Sequence, residues 1–377
     1  MEGTFSKEAK RNYAHVNNAA AILRSYNGQE PFAHFIKAWF SGHKKFGSRD
    51  RKIVAHLCYC YFRLGHSFSE LPVEEKVLKA MQVCDPVLAK EWECMIEHPE
   101  LPVVPENIFP WQQEVSATID FAAFERSHLV QPDLFLRARR GFERVVEHKL
   151  TASGIGFKAE GKNSFRISNS SRLEHVLALN REAVIQDLSS QKIGNLLKTA
   201  ATYFTDNICV WDCCAASGGK SILAKDVLEN ITLSVSDVRP SIIHNLNRRF
   251  KEALIKNYDV FIADATTANP GKQFDLIIAD VPCTGSGTWA RTPEQLLYFN
   301  DHKIMAYAAL QTGILSNIIH YLKPGGLLLY ITCSVFHKEN EAQLCLLQSN
   351  NLKLIDERII AGYNVKADTM FGALLQK

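Results

Sequence analysis

From about residue 186 onward the sequence alternates between short apolar runs and longer amphipathic ones. Ile208–Trp211 reads as a strand, Ser221–Leu228 as a helix, Ile231–Val235 as a strand and Pro240–Ala253 as a helix. Val260–Ile262 and Phe274–Ile278 read as further strands, Gln295–Leu322 as a long helical stretch and Gly326–Ile331 as a buried strand. Apolar runs too short for helices, separated by segments of helical period, predict a parallel sheet covered by helices on both faces. The expected fold class is therefore α/β, with a Rossmann-like domain over residues 186–377. Such sheets bind ligands beyond the carboxyl ends of their strands, so that is where chemistry is sought.

The upstream part differs. Residues 1–105 carry apolar positions at helical spacing and predict an all-helical domain. Pro99, Pro102, Pro105 and Pro110 mark a connection near its end. Residues 106–185 predict a linker helix in Trp111–Ser127, then a small α+β domain with strands at Asp133–Arg139 and Phe165–Ile167 and a helix at Phe142–His148. Between Leu134 and Val184 there are ten Lys/Arg against five Glu and no Asp. A basic patch of that kind suits either a solvated face or a nucleic-acid surface.

Composition excludes several classes. No run of about 18 apolar residues occurs, so no membrane span is expected. The first eleven residues are polar and lack a signal-peptide core. The ten cysteines lack paired metal spacing and read as reduced thiols, which suggests a cytoplasmic protein without a metal.

The sharpest local signal is the run Asp212-Cys213-Cys214-Ala215-Ala216-Ser217-Gly218-Gly219-Lys220, which follows one strand and opens a helix. Small residues let backbone approach a ligand closely, and a helix N-terminus offers free N–H groups to an anion. The run lacks the glycine spacing of a dinucleotide fingerprint. It also lacks the first glycine of a phosphate loop, a position held here by Cys214. Asp237 closes the next strand and can accept from ribose hydroxyls. Asp264 follows the third strand and can accept from an adenine amino group. Three aspartates at successive strand ends point to S-adenosyl-L-methionine, whose carboxylate would meet the helix N-terminus.

Two cysteines also stand at strand ends. One lies in Asp280-Val281-Pro282-Cys283-Thr284-Gly285-Ser286-Gly287, the other in Thr332-Cys333-Ser334. A thiolate explains their position chemically. Carbon 5 of cytosine is a poor nucleophile, and adding sulfur at carbon 6 makes it enamine-like. Cysteine is nucleophilic even when little of it is ionised, and nearby positive charge such as Lys220 favours the thiolate. Asp280 can hold the edge of the base. The residues alone leave open which cysteine attacks.

In their order, Asp212–Lys220, Asp237, Asp264, Asp280–Gly287 and Thr332-Cys333-Ser334 resemble the motifs of the Sun-family RNA cytosine-5 methyltransferases. Gln186-Asp187-Leu188-Ser189-Ser190-Gln191 resembles that family's lead-in, and Phe371–Leu375 its C-terminal strand. The resemblance covers about residue 130 to the end. It implies that Cys333 is the nucleophile and that Cys283 assists product release. It further implies that Cys214, Ala215, Ala216, Ser217, Gly218, Gly219, Lys220, Asp237, Asp264 and Asp280 line the cofactor pocket. Ser217 stands where the family usually has proline, which should loosen the loop slightly. Phe46–Lys52 resembles the start of a helix in the NusB-type RNA-binding domain, with Lys44, Lys45, Arg49, Arg51 and Lys52 as phosphate-contacting candidates.

These observations lead to an expectation of a monomeric, S-adenosylmethionine-dependent methyltransferase acting on ribosomal RNA, with transfer RNA as an alternative substrate. Two other classes compete. An RNA-binding assembly factor with a vestigial pocket would not need both cysteines and all the aspartates. A dinucleotide-dependent oxidoreductase would need the missing glycine fingerprint.

Overall fold

The computed structural model describes residues 7–95 and 104–377. Pro99 and Pro102 of the proline-rich stretch lie outside them. The chain divides into two compact units. The first runs up to Gln113 and adds Asp120–Gln131 and Thr288–Asn300; the second holds the remainder. Among the described residues no helix is long and apolar enough to cross a membrane.

The first unit is helical, with helices Lys7–Ser25, Phe32–Gly42, Ser48–Arg63, Val73–Cys84 and Pro86–Glu91. Val16, Ala19, Leu23, Leu57, Phe62, Val77 and Met81 meet in its core, as helical spacing of apolar residues requires. Asp85 caps Pro86–Glu91 by accepting from the Leu88 N–H at 3.0 Å, while the proline fills the first helical position without wasting a donor. The late segment Thr288–Asn300 contributes Glu294, whose buried carboxylate accepts from the Phe32 N–H at 3.1 Å and so caps Phe32–Gly42.

The second unit contains two sheets. The smaller has order β2-β3-β1-β4, from β1 (Leu134–Ala138), β2 (Phe157–Ala159), β3 (Ser164–Ile167) and β4 (Ala183–Ile185), with helix Glu143–Ala152 packed through Val146 and Leu150. The larger has order β10-β11-β9-β8-β5-β6-β7. Its strands are β5 (Ile208–Asp212), β6 (Ile231–Asp237), β7 (Tyr258–Ile262), β8 (Phe274–Asp280), β9 (Leu322–Thr332), β10 (Lys353–Ile360) and β11 (Met370–Gln376). Strands β5 to β9 are parallel, and β10 and β11 add an antiparallel edge. Buried clusters cover both faces, around Leu223, Leu246 and Phe250 on one and Ile314, Ile318 and Leu347 on the other. The order reverses between β5 and β8, and the crevice beyond their carboxyl ends is where open α/β sheets hold ligands.

Several expected elements are redrawn. Trp111–Ser127 is not one helix: a 3-10 turn (Gln112–Glu114) and an isolated bridge at Val115 precede the helix Phe121–Ser127. Asp120 stops and restarts the chain by capping Ala123 at 3.0 Å. The long stretch Gln295–Leu322 breaks into Gln295–Tyr298 and His302–Ile318, and Leu322 already belongs to β9. The strand pattern Gly326–Ile331 starts earlier because Leu322 pairs with Phe274 ahead of Pro324-Gly325.

Candidate active site

The loop after β5 is fastened at both ends. Asp212 is fully buried, and its Oδ2 accepts from the Ser221 hydroxyl at 2.6 Å, tying the strand end to the first turn of helix Gly219–Leu228. Burial pushes the Asp212 carboxyl up to about 7, against the pull of the Ser221 bond. Between these points the backbone takes positive φ at Ala216 (+45°) and Gly218 (+82°). At Gly218 a side chain would also collide, since a Cβ would lie 2.5 Å from the Phe250 ring. Gly219, by contrast, opens onto free space. The result is a turn of small residues that leaves first-turn N–H groups without intrahelical partners.

Ser217 lacks the rigidity of proline, but the fold supplies a tether. The Arg249 guanidinium donates to the Ser217 carbonyl at 3.1 Å and to its hydroxyl at 2.7 Å. It also donates to the Asn180 side chain at 3.1 Å. The expectation of a looser loop had not counted this contact, because Arg249 lies 32 residues away on the helix Pro240–Glu252.

Asp237 ends β6 and accepts from the Ala216 N–H at 3.0 Å, so it holds the same loop from the other side. Its second oxygen accepts from the Arg239 backbone and side chain at 3.0 and 2.9 Å. Burial raises its pKa, but these bonds outweigh burial and hold it below the ordinary value. Asp264 is exposed and turns back on Thr266, accepting on Oδ1 from its N–H at 2.9 Å and its hydroxyl at 2.8 Å. Those bonds keep it ionised below the usual range. Both carboxylates are thus acceptors, which is what ribose hydroxyls and an adenine amino group demand. Together with the small-residue turn and the open space at Gly219, they fit S-adenosylmethionine.

Lys220 is buried and donates to Asp280 Oδ2 at 3.0 Å and to Ser190 Oγ at 2.8 Å. The lead-in motif therefore acquires a physical role. Gln186 Nε2 donates to Ser190 Oγ at 3.1 Å, and Gln191 Nε2 donates to the Gln186 carbonyl at 2.8 Å. Asp187 caps Ser189 at 2.7 Å and accepts from the Asp368 N–H at 3.1 Å. The lysine is aimed by this frame rather than left free.

The two strand-end cysteines meet. The sulfur atoms of Cys283 and Cys333 are 3.3 Å apart, in contact as thiols and well beyond disulfide length. The Cys333 thiol and burial, with the Glu339 charge, push the Cys283 thiol well up. Gly287 brings the two loops together: its N–H donates to the Cys333 carbonyl at 2.9 Å, and a Cβ there would fall 2.0 Å from the Thr369 carbonyl oxygen.

Beneath the cysteines lies a buried carboxylate that the sequence reading missed. Glu339 accepts from the Thr284 N–H at 2.9 Å, the Thr284 hydroxyl at 2.6 Å, Gln311 Nε2 at 3.3 Å and the Ser334 hydroxyl. Thr284 follows Cys283 and Ser334 follows Cys333, so one side chain grips both loops. Burial raises the Glu339 pKa, and the four donors counter that rise. Asn340 completes the clamp, accepting from Thr332 Oγ1 at 2.6 Å and donating to the Ser334 carbonyl at 3.0 Å. The available signal was the charged run Lys338-Glu339-Asn340-Glu341 set between a buried strand and an apolar helix.

Against this geometry, residues 202–371 match the family model described as 16S rRNA methyltransferase RsmB/F. That stretch is thus similar to the RsmB/F methyltransferases. Ribosomal RNA small subunit methyltransferase B of Xylella fastidiosa is 31% identical over 166 residues, 43% of this chain and 38% of the relative. Its counterpart in Shewanella oneidensis is 33% identical over 171 residues, 45% of this chain and 39% of the relative. The matches thus span about two-fifths of these relatives' length. The crystal structure of PH0851 covers 97% of this chain and 99% of that one with a TM-score of 0.72 at 19% identity. NSun6 from Pyrococcus horikoshii, solved with SFG, has a TM-score of 0.61 at 14% identity, covering 68% and 94%. These structural likenesses show a shared fold.

Proposed function

We propose that this protein methylates carbon 5 of a cytosine in ribosomal RNA, with S-adenosylmethionine as donor and Cys333 as the transient nucleophile. The observation that carries the reading is the contact of two thiols at adjacent strand ends, beside the loop that begins at Asp212. A single thiol has many uses in a fold. A pair poised in a crevice with a lysine–carboxylate pair suits addition to a pyrimidine followed by elimination. The names of the curated relatives support ribosomal RNA as the substrate class.

In this reading Gly218, Gly219 and the first helical turn hold the methionine carboxylate, Asp237 the ribose and Asp264 the adenine. The bound cofactor supplies an electrophilic methyl group. Cys333 sulfur adds to carbon 6 of the base, and the electron pair this releases at carbon 5 takes the methyl. Lys220 orients Asp280, which holds the edge of the base during addition. A general base then takes the carbon-5 proton, the C–H pair re-forms the carbon 5–carbon 6 double bond, and Cys333 departs as its thiolate with the pair of the C–S bond; Cys283 assists that release. The base must be unstacked to be attacked above its plane. The helices between Lys7 and Glu91 and the basic small sheet are read as RNA-binding elements, and the protein as a cytoplasmic monomer.

Transfer of a labelled methyl group to unmodified ribosomal RNA, with bisulfite sequencing of the product, tests this. The expected result is one or a few cytosines converted to 5-methylcytosine. Label absent from carbon 5 with the active native protein would reject the proposal.

A further inference from the structure

A cavity of about 480 Å³ lies in the second unit, between the small sheet and the helices Leu188–Lys192, Gly194–Ala201 and Gly219–Leu228. It is separate from the crevice beyond β5 and β8. Two donors in its wall are buried and unspent. Arg137 is 2% exposed; its Nε donates to Gln186 at 2.8 Å and its Nη1 to Asp226 at 2.6 Å, but its Nη2 has no partner. Ser164 is 5% exposed, and its hydroxyl has no partner either. A buried donor left unpaired is destabilising, so a chain that keeps two in one cavity is arranged for something that accepts.

The charges around the cavity indicate which acceptor. Asp226 is spent between Arg137 and Arg139, and Glu160 faces Arg166 at 2.8 Å. Lys192 and Lys198 are exposed on the wall without an ion-pair partner among the described residues, and Asn195 lies between them. Glu143 is the wall carboxylate left without a partner there. A guanidinium N–H, a hydroxyl and two ammonium groups without carboxylate partners, one of them within 3.5 Å of Asn195 Oδ1, match a phosphate with its dense shell of acceptor oxygens.

The position indicates the source. Gln186 accepts from Arg137 and donates to Ser190, which in turn accepts from the buried Lys220. Asp226 and Lys220 stand on one helix, six residues or roughly 9 Å apart along its axis. We propose that this cavity holds a backbone phosphate of the RNA strand whose target base enters the crevice near Lys220. The proposal rests on the RNA-methylation reading.

The test measures binding of a single-stranded RNA oligonucleotide by fluorescence anisotropy across a salt series, alongside calorimetry of S-adenosylmethionine. Replacing both exposed lysines (Lys192→Ala with Lys198→Ala) should weaken RNA binding roughly tenfold. It should also flatten the log–log salt slope by about 0.7, as one fewer neutralised phosphate on a single strand implies. Ser164→Ala should weaken it about threefold, the size of one modest hydrogen bond, and Glu143→Gln should tighten it. Affinity for the methyl donor should stay unchanged in all three. Unchanged RNA affinity and slope in the lysine variant, with methyl transfer intact, overturns the cavity and leaves the enzymatic reading standing. Native protein that fails to bind RNA overturns both. Inorganic phosphate serves as the second probe. If it binds in a Ser164-dependent manner while RNA binding ignores every variant, the cavity takes free phosphate and the proposal fails.

Discussion

Cys283 and Cys333 hold their sulfur atoms 3.3 Å apart across the ends of the parallel neighbours β8 and β9. Equivalent positions in space need not mean equivalent roles. In the mechanism we propose, attack by Cys333 forms the bond to the base, and everything later depends on it. Cys333→Ala should therefore abolish both methyl transfer and any protein–RNA adduct. Cys283→Ala should still form the adduct and then stall, giving a band retarded on a denaturing gel that disappears on RNase treatment. A stalled adduct in the Cys333 variant would reverse the assignment.

The Glu339 clamp predicts a split between rate and affinity. Its carboxylate accepts four bonds from the two cysteine loops and Gln311. Glu339→Gln keeps the shape but turns an amide donor toward groups that are already donors. Misplacing a nucleophile by about 1 Å can cost about 100-fold in rate, so kcat should fall by roughly 10- to 100-fold. The KM for RNA and the affinity for S-adenosylmethionine should change little, because Glu339 is fully buried beneath the cysteine loops. Steady-state kinetics with calorimetry decides it. A loss carried entirely by KM would count against positioning.

Ser217 and Arg249 predict a coupling. The arginine's bonds to the serine carbonyl and hydroxyl fix a loop that proline would fix covalently. Losing charge-assisted bonds of this kind costs about 1.5–3 kcal/mol, so Arg249→Ala should weaken S-adenosylmethionine binding by about tenfold or more. In a Ser217→Pro background the same change should cost less, and calorimetry on the four proteins forms a double-mutant cycle. Additive effects would show that the arginine stabilises the fold without fixing the loop.

Much of this arrangement was legible in the sequence, and the illegible parts share a cause. Parallel strands announce themselves by short apolar runs, and aspartates or cysteines at their ends mark the crevice. Strands β2, β4 and β10 escaped because Phe157–Ala159 and Ala183–Ile185 are short and Lys353–Ile360 is an edge strand mixing Asp356, Glu357 and Arg358 with its apolar positions. Glu339, Arg249 and the Arg137 cavity escaped for a different reason. Each acts on residues distant in the chain or on other elements, and a single charged residue after a strand looks like any solvated one. What made Glu339 informative is its complete burial, which no local pattern records.

Asp212 gives the last prediction, and its sign follows from burial. An unfolded aspartate titrates near 3.9, whereas burial pushes Asp212 up to about 7 in the fold. Between those values the folded state keeps a proton that the unfolded chain has lost. Stability from this group therefore falls as pH rises from about 4 to about 7 and levels off above. Asp212→Asn keeps an acceptor for the Ser221 hydroxyl but cannot ionise. The difference in Tm between variant and native protein should grow in the variant's favour from pH 5 to pH 8, measured by calorimetric scans in matched buffers. A pH-independent difference would mean that Asp212 stays charged in the fold, with the Ser221 hydroxyl and the nearby Lys220 outweighing its burial.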